Sequence, residues 1–429
     1  MQHIIIAVVV AVAYGALAAI SKIVAYAPAD AWTVWLPSGA VFGTLLAVQR
    51  GRWKAVLAGG FIGATGFALS LGTTPLDALG YGVIEVVTAA GAAFLVSRVR
   101  PLPLHLDNAR DLAALILAGA LPLALIGAGL ATAWHVATGG PAPAATFRIW
   151  TLSNFIGTLL VAPVVVTWAR LRIRRSGGMT MPVFAAGAVA CALFLASVFI
   201  LFDAPPGSQF GGLAGRALTY VPIVFMAIVA VLWGTRGATL AAFVGALIAI
   251  LNTAQGEGPF AGVEGFLGEP ELEVEGYAVA IAMTGLLIAV LAAAQRNAMR
   301  VARDWQTRFE AAIGAHRLLA YEWDPVSGQM AVTGDSAALV GVPAAGIGTL
   351  ADWIALAAAD DRERVSARFE ARAQGSGDSD VLRYHVNAPG GAPMTATDEA
   401  RVIRDHDGQL HRVVGIVRVS PLAESGARA

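Results

Sequence analysis

From residue 4 to about residue 297 the chain is almost continuously apolar, with short polar breaks. From Arg300 onward, polar and apolar positions mix as they do in water-soluble protein. A helix that crosses a bilayer needs roughly 17–25 mostly apolar residues, because hydrocarbon gives backbone N–H and C=O groups no partner outside the helix. Runs of that kind fall at 4–27, 32–49, 53–72, 76–98, 110–137, 147–170, 181–202, 217–234, 236–253 and 275–296. The pattern predicts an all-α polytopic membrane helix bundle of about ten spans over 1–297. The second and eighth runs are short, so eight or nine spans also fit. Gly59-Gly60-Phe61-Ile62-Gly63 shows the small residues that let helix backbones approach closely in lipid.

After the last run, AAAQRNAMRVARDWQTRFEAAI lacks Pro and Gly and is rich in good helix formers. It predicts that the final span continues as a helical linker over 298–308. The period then changes. Residues 361–373 read as an amphipathic helix, and VLRYHV (381–386), MTATDEARVIRD (394–405) and LHRVVGIVRVS (410–420) read as strands. Asp405-His406-Asp407-Gly408 supplies a tight turn between the last two. These elements predict a small α+β domain over 309–422, with 423–429 as a tail.

Composition sharpens the picture. Of 429 residues, 57% are hydrophobic and only 14% charged, against roughly a quarter in a soluble domain. Formal net charge is zero, which gives nucleic-acid binding no support. Arg50, Arg52 and Lys54 lie between the second and third runs, and Arg98, Arg100 and Arg110 flank the next even loop. Arg170, Arg172, Arg174, Arg175 and Arg236 flank later even loops, and Arg296, Arg300 and Arg303 follow the final run. Arg148 and Arg216 are the main exceptions on odd loops. The longest odd loop, 254–274, carries Glu257, Glu264, Glu269, Glu271 and Glu273. Positive charge marks the cytoplasmic side, so the even loops and both termini are expected there. The N-terminal run has no basic region before it and is expected to be a retained helix. Cys191 is the only cysteine, which excludes a disulfide framework, a Cys-ligated metal site and a cysteinyl-flavin site.

Within the apolar region Glu85 is the sharpest polar signal. It lies about nine residues into its run, or roughly 14 Å along a helix, near the middle of a hydrocarbon layer about 30 Å thick. A carboxylate there serves either a ligand, ion or proton site, or a structural hydrogen bond to another helix. Trp35-Leu36-Pro37-Ser38-Gly39 marks the outer end of the second run. Pro37 either breaks that helix and opens a cavity, or starts it beside an interfacial Trp. Asn154, with Ser153, and Tyr220, with Pro222, are further polar or bent points. The candidate ligand-binding residues are therefore Trp35, Pro37, Glu85, Asn154 and Tyr220. In the soluble stretch His316, His385, His406 and His411 have no metal- or haem-binding spacing, and Asp360-Asp361 suits a helix N-terminus. No metal or cofactor is evident. A phosphoacceptor His, a nucleotide lid, a cyclase signature and a Walker loop are all missing, so no catalytic residue is assigned and the chain is not expected to be an enzyme.

Several segments carry a resemblance. VWLPSGAVFGTLL around Trp35, GGFIGATGFAL at 59–69, ALGYGVIEVVTA with Glu85, WTLSNFIGTLLVAPVVVTW from Trp150 to Trp168, LTYVPIVFMAIVAVLWGTRGATLAA and GEGPF at 256–260 occur in an order and spacing that resembles the first family of bacterial membrane-associated sensor (MASE) domains. Where that family often has Asp, this chain has Asn154. LAYEWDPVSGQM, ALAAADDRERV and RVIRDHDGQLHRVVGIVRV resemble a PAS fold, one that has lost the His-Pro before Asp360, an expected Trp near Met394, and the Asp-x-Thr junction, here Val419-Ser420-Pro421. The resemblance implies a multi-pass sensor in the bacterial inner membrane. It would detect a small ligand or membrane condition, dimerise, and relay the signal through the last helix to a cytoplasmic PAS domain whose own pocket ligand is unknown. Output would come from a separate kinase or cyclase protein. Two alternatives are the sensory fragment of a histidine kinase or diguanylate cyclase, and a polytopic transporter with a cytoplasmic regulatory domain, which midplane Glu85 and Pro-broken helices would also suit.

Overall fold

The computed structural model describes residues 1–25, 32–169, 180–205, 217–261, 269–374, 379–387, 393–406 and 409–421. The basic positions 170–175 and Arg216, the acidic Glu264, the turn residues Asp407 and Gly408 and the tail lie outside that set. Two compact units divide between Asn297 and Ala298.

The described elements of the first unit are all helices. Its helices are α1 (Gln2–Ile23), α2 (Leu36–Ala47), α3 (Trp53–Ser70), α4 (Pro75–Val99), α5 (Ala109–Ala137), α6 (Pro143–Trp168), α7 (Met181–Phe202), α8 (Val221–Ala254) and α9 (Glu269–Ala315), whose C-terminal part belongs to the second unit. Seven of them, all but α2 and α3, are long and apolar enough to cross a membrane. Large apolar side chains such as Ile4, Val8, Val12, Ile62, Val87, Leu117, Val189 and Leu291 point outward, as expected where lipid is the solvent. Between helices, small residues set the distance. A Cβ on Gly59 would lie 2.4 Å from the Ala7 carbonyl oxygen, and one on Gly63 would lie 2.6 Å from Tyr14 Cβ. These two glycines thus seat α3 directly on α1.

The last helical run before the acidic loop holds a reversal. The sequence predicts separate runs at 217–234 and 236–253, and α8 is broken at Gly234, with φ 65° and ψ −157°, a backbone region essentially reserved for glycine. A Cβ on Gly285 of α9 would lie 3.1 Å from Met226 Sδ and 3.8 Å from Ala238 Cβ. Twelve residues of straight helix span about 18 Å, so both contacts require α8 to fold back on itself at Gly234. Arg296 Nη1 donates to the Val231 carbonyl at 2.9 Å and so serves a carbonyl that the break releases. Nearby, Trp168 Nε1 donates to the Arg236 carbonyl at 3.2 Å and Arg236 Nε to the Thr167 carbonyl at 3.1 Å. At the opposite end of α7 and α8, the Gly258 N–H donates to the Ala204 carbonyl at 2.8 Å, and Phe202, Phe260 and Tyr277 form a ring cluster.

Two expectations are corrected here. α2 begins only at Leu36, and residues 32–35 are not helical, so the apolar run from Trp32 is not one helix. Pro37 occupies the second helical position, where a missing N–H costs nothing, so it starts the helix and does not break it. The acidic residues Glu269, Glu271 and Glu273 lie in the first turns of α9 and not in a loop, where carboxylates oppose the positive helix end.

The second unit is built on a five-stranded antiparallel sheet. Its strands are β1 (Leu318–Trp323), β2 (Met330–Thr333), β3 (Ser379–Asn387), β4 (Pro393–Arg404) and β5 (Leu410–Pro421), in the order β2-β1-β5-β4-β3. Between β2 and β3 come α10 (Ser336–Val340), α11 (Leu350–Leu356) and α12 (Arg362–Ala373). The alternation read in the last two strands pairs Asp398 with Val417 and Ala400 with Gly415. Tyr321, Trp323, Trp353, Phe369, Tyr384 and Val413 fill the core. Inside it, Arg372 Nη1 lies 2.9 Å from Asp398 Oδ2 and donates to the Tyr321 hydroxyl at 2.8 Å. The guanidinium and carboxylate are 1% and 0% exposed. α12 is joined to β3 by Asp361, whose Oδ2 accepts from the His385 backbone N–H at 2.7 Å and lies 2.8 Å from His385 Nδ1.

Candidate ligand-binding site

The close approach of α2 and α6 generates the site. A Cβ on Gly157 would stand 1.9 Å from the Trp35 carbonyl oxygen, one on Gly39 2.6 Å from the Gly157 carbonyl oxygen, and one on Gly43 2.8 Å from Ala162 Cα. Only glycine permits this backbone-on-backbone contact. The non-helical stretch before α2 is then held by its own amides: Trp35 N–H donates to the Ser153 carbonyl at 2.9 Å and Leu36 N–H to Ser21 Oγ at 3.0 Å. That seating places Trp35 and Ser38 against Ser153 and Asn154.

α4 brings the carboxylate. Thr74 caps it by accepting from the Asp77 N–H at 3.2 Å, and Pro75 opens its first turn. Ten residues on, or about 15 Å along the axis, Glu85 is 7% exposed. Its Oε2 accepts from Ser38 Oγ at 2.8 Å and more weakly from the Tyr14 hydroxyl at 3.4 Å. Ser38 Oγ is also 2.9 Å from Asn154 Oδ1, whose amide is oriented by Nδ2 donating to the Trp150 carbonyl at 2.9 Å. Four helices thus meet at one polar cluster: α1 through Tyr14, α2 through Ser38, α4 through Glu85 and α6 through Asn154. Glu85 Oε1 has no hydrogen-bond partner among the described residues.

Above the cluster is a cavity of about 350 Å³, within the range of small-molecule pockets. Aromatic rings form much of its wall. Trp32 and Trp35 meet edge to face at 5.2 Å, Phe67 lies 5.9 Å from Trp35, and Tyr81 stacks on Trp150 at 5.6 Å. Leu71, Thr73, His135 and Thr146 also line it. They sit where α3 ends, α4 begins, α5 ends and α6 begins, so the cavity runs from that end of the bundle toward Glu85.

Of the sequence candidates, Trp35, Glu85 and Asn154 come together here. Pro37 is buried one residue from Ser38 and shapes the helix start without lining the cavity. Tyr220 precedes α8, is 71% exposed, and stands apart from the cavity. Tyr14, Trp32, Ser38, Phe67, Tyr81, His135 and Trp150 are not among the candidates that the sequence offers. Aromatic and hydroxyl residues are common packing elements of membrane helices, and only the adjacency of Ser38 to the Trp35-Pro37 turn hinted at a role. Glu275, also unnamed, is 5% exposed and lies near Arg148 and Glu271. Among the described residues no group of three His, Cys, Asp or Glu side chains is placed to hold a metal ion.

The MASE1 family matches residues 5–297. No curated protein matches the chain. Among solved structures, the chain is similar to the N-terminal domain of a diguanylate cyclase with PAS/PAC sensor from Marinobacter aquaeolei, at 18% identity and a TM-score of 0.22, covering 24% of this chain and 93% of that one. It is also similar to a sensory box histidine kinase/response regulator from Burkholderia thailandensis E264, at 20% identity and a TM-score of 0.22, covering 26% of this chain and 83% of that one.

Proposed function

Since the chain belongs to the MASE1 family, a membrane sensor domain of kinases and cyclases, we propose that its helical unit is a receptor for a small ligand, which occupies the cavity over Glu85. The observation that carries this reading is the meeting of four helices at one polar cluster beneath an aromatic-walled cavity. A molecule held there touches α1, α2, α4 and α6 at once, so its binding free energy can bias how they pack. Ten helical segments cross the membrane in this reading: α2, α3 and the two arms of α8 join the six other long helices. The Arg-bearing ends face the cytoplasm of a bacterial inner membrane, and the cavity opens outward. The signal leaves through α9, a 47-residue helix, toward the antiparallel sheet, which we read as a PAS-like domain. Output comes from a separate kinase or cyclase, or from a longer chain of which this is the sensory part, and the working unit is a homodimer.

The test is a chimera in which residues 1–297 drive a kinase of known output. Gly127 lines the cavity, and a Cβ there would meet Thr88 at an ordinary 3.6 Å. Gly127→Leu should therefore fill the cavity without disturbing the helices. It is expected to hold output constant across growth conditions that modulate the unsubstituted chimera. Equal modulation in both would place sensing elsewhere.

A further inference from the structure

If the cavity is the sensing site, as proposed above, its wall chemistry selects among classes of ligand. Among its described lining residues there is one carboxylate, Glu85, and no Lys or Arg. The other titratable groups on the wall are Tyr14 and Tyr81 and, toward the end of the bundle, His135. Ser38 and Tyr14 both serve Glu85 Oε2, and Ser38 has a single proton to share between that oxygen and Asn154 Oδ1. Oε1 has no partner among the described residues. A carboxylate removed from water calls for a donor or a positive charge, and the protein's own wall supplies neither to this oxygen.

The surrounding rings narrow the choice. Tyr14 links the carboxylate to the aromatic wall: its hydroxyl is 3.4 Å from Glu85 Oε2 and its ring 6.3 Å from that of Trp35. Trp35 in turn meets Trp32 and Phe67. Aromatic faces attract cations through their quadrupole, and their carbon surface covers alkyl groups at the same time. An anionic ligand would meet the Glu85 charge at short range in a poorly screened site. A wholly apolar ligand would leave Oε1 unpartnered. A bare metal ion would find too few oxygen ligands.

We propose that the cavity binds a small organic cation, an amine or quaternary ammonium, with its positively charged nitrogen beside Glu85 and its carbon substituents against Trp32, Trp35 and Phe67. Choline and its neutral carbon isostere 3,3-dimethylbutan-1-ol are the probes. They have the same shape and differ in charge. The full chain, purified in lipid nanodiscs, carries Trp32, Trp35 and Trp150 on the cavity wall, so intrinsic tryptophan fluorescence reports occupancy. Choline should half-saturate the signal at a concentration at least about tenfold lower than the alcohol, a difference of about 1.4 kcal/mol. Glu85→Gln retains the acceptor for Ser38 and Tyr14. It should raise the choline midpoint at least about tenfold and leave the alcohol midpoint unchanged, while Glu85→Asp should keep the preference for choline. Gly127→Leu should remove both responses. If the alcohol binds as well as choline, or Glu85→Gln leaves choline binding unaltered, the cation assignment is wrong and the cavity remains a neutral-ligand site. Absence of a saturable response to either probe also overturns the cation assignment. The sensing role is judged separately by the chimera, whose readout depends on neither probe.

Discussion

Gly157 is the position on which the geometry of the site most depends. In Gly157→Ala the added carbon would start 1.9 Å from the Trp35 carbonyl oxygen and 2.4 Å from its carbon. Neither atom belongs to a flexible side chain, so relief requires α2 and α6 to separate by more than about 1 Å before van der Waals distance is restored. Overpacking of this kind costs about 1–3 kcal/mol. Here the strain falls on the backbone segment that holds Trp35 N–H to Ser153 and Ser38 to Asn154. Gly91 and Gly129 are controls, because a Cβ on either meets nothing within 4 Å. In helices Ala is favoured over Gly by up to about 1 kcal/mol, so these two changes should be neutral or stabilising. The assay is thermal inactivation of purified protein followed by tryptophan fluorescence. Gly157→Ala should unfold several degrees below the parent and the controls at or above it. A Gly157→Ala protein as stable as Gly91→Ala would refute the claim that this contact sets the α2–α6 distance.

Other outcomes follow from the same structure. In a Cys191→Ala background, a cysteine at the exposed Thr138 should react with a membrane-impermeant thiol reagent in intact cells and one at Gly51 should not; the opposite labelling would invert the proposed orientation. Arg372→Met leaves Asp398 charged in the core of the second unit, where breaking a buried pair costs about 3–5 kcal/mol, whereas Arg372→Met with Asp398→Leu should recover most of the loss. A double variant as unstable as Arg372→Met, measured by urea unfolding of the sheet, would show that the pair is not what the core is built around. Burial tends to raise the Asp361 carboxyl, but hydrogen bonds from the His385 amide, Arg364 and the His385 ring outweigh it and hold the carboxyl down at about 2. A carboxyl lowered on folding stabilises the fold above its unfolded value near 4, and that contribution is lost as pH falls from there through about 2. Asp361→Asn should therefore flatten the stability profile of the second unit over that window and lower its plateau at neutral pH, and a profile identical to the parent's would remove Asp361 from its acid response.

Helix positions were legible because lipid forces them to be: apolar length alone located most of the helices to within a few residues. The strands were legible from alternation, with 394–405 read for Pro393–Arg404 and 410–420 for Leu410–Pro421. The start of α2 is not legible because the hydrophobic run from Trp32 does not distinguish a non-helical segment from a helical one, and the difference lies in the acceptors that Ser153 and Ser21 offer to the Trp35 and Leu36 amides. Glu85 and Asn154 stood out as polar residues in apolar surroundings, whereas Tyr14 and Trp150 looked like any packing aromatic. Tyr220 stands out as a polar residue beside Pro222, but neither feature says which way a side chain ahead of a helix will face. Glu275 escaped notice for the converse reason. It lies among other glutamates at the start of a run, where a buried carboxylate and a solvated one read alike.

In the proposed ten-crossing topology, the reversal at Gly234 sets the parity of the chain. Each crossing exchanges one side of the membrane for the other, so folding α8 back adds one crossing to the count that an unbroken helix would give. α9 therefore leaves the bundle at the Arg296 end, the same end as the break itself. Were α8 a single straight rod, everything after it would be translocated to the opposite compartment. At φ 65° and ψ −157° a side chain at this position is strained by about 1–3 kcal/mol, so glycine here does more than admit a bend. In the proposed topology its lack of a Cβ favours the return that brings the C-terminal sheet to the cytoplasmic side.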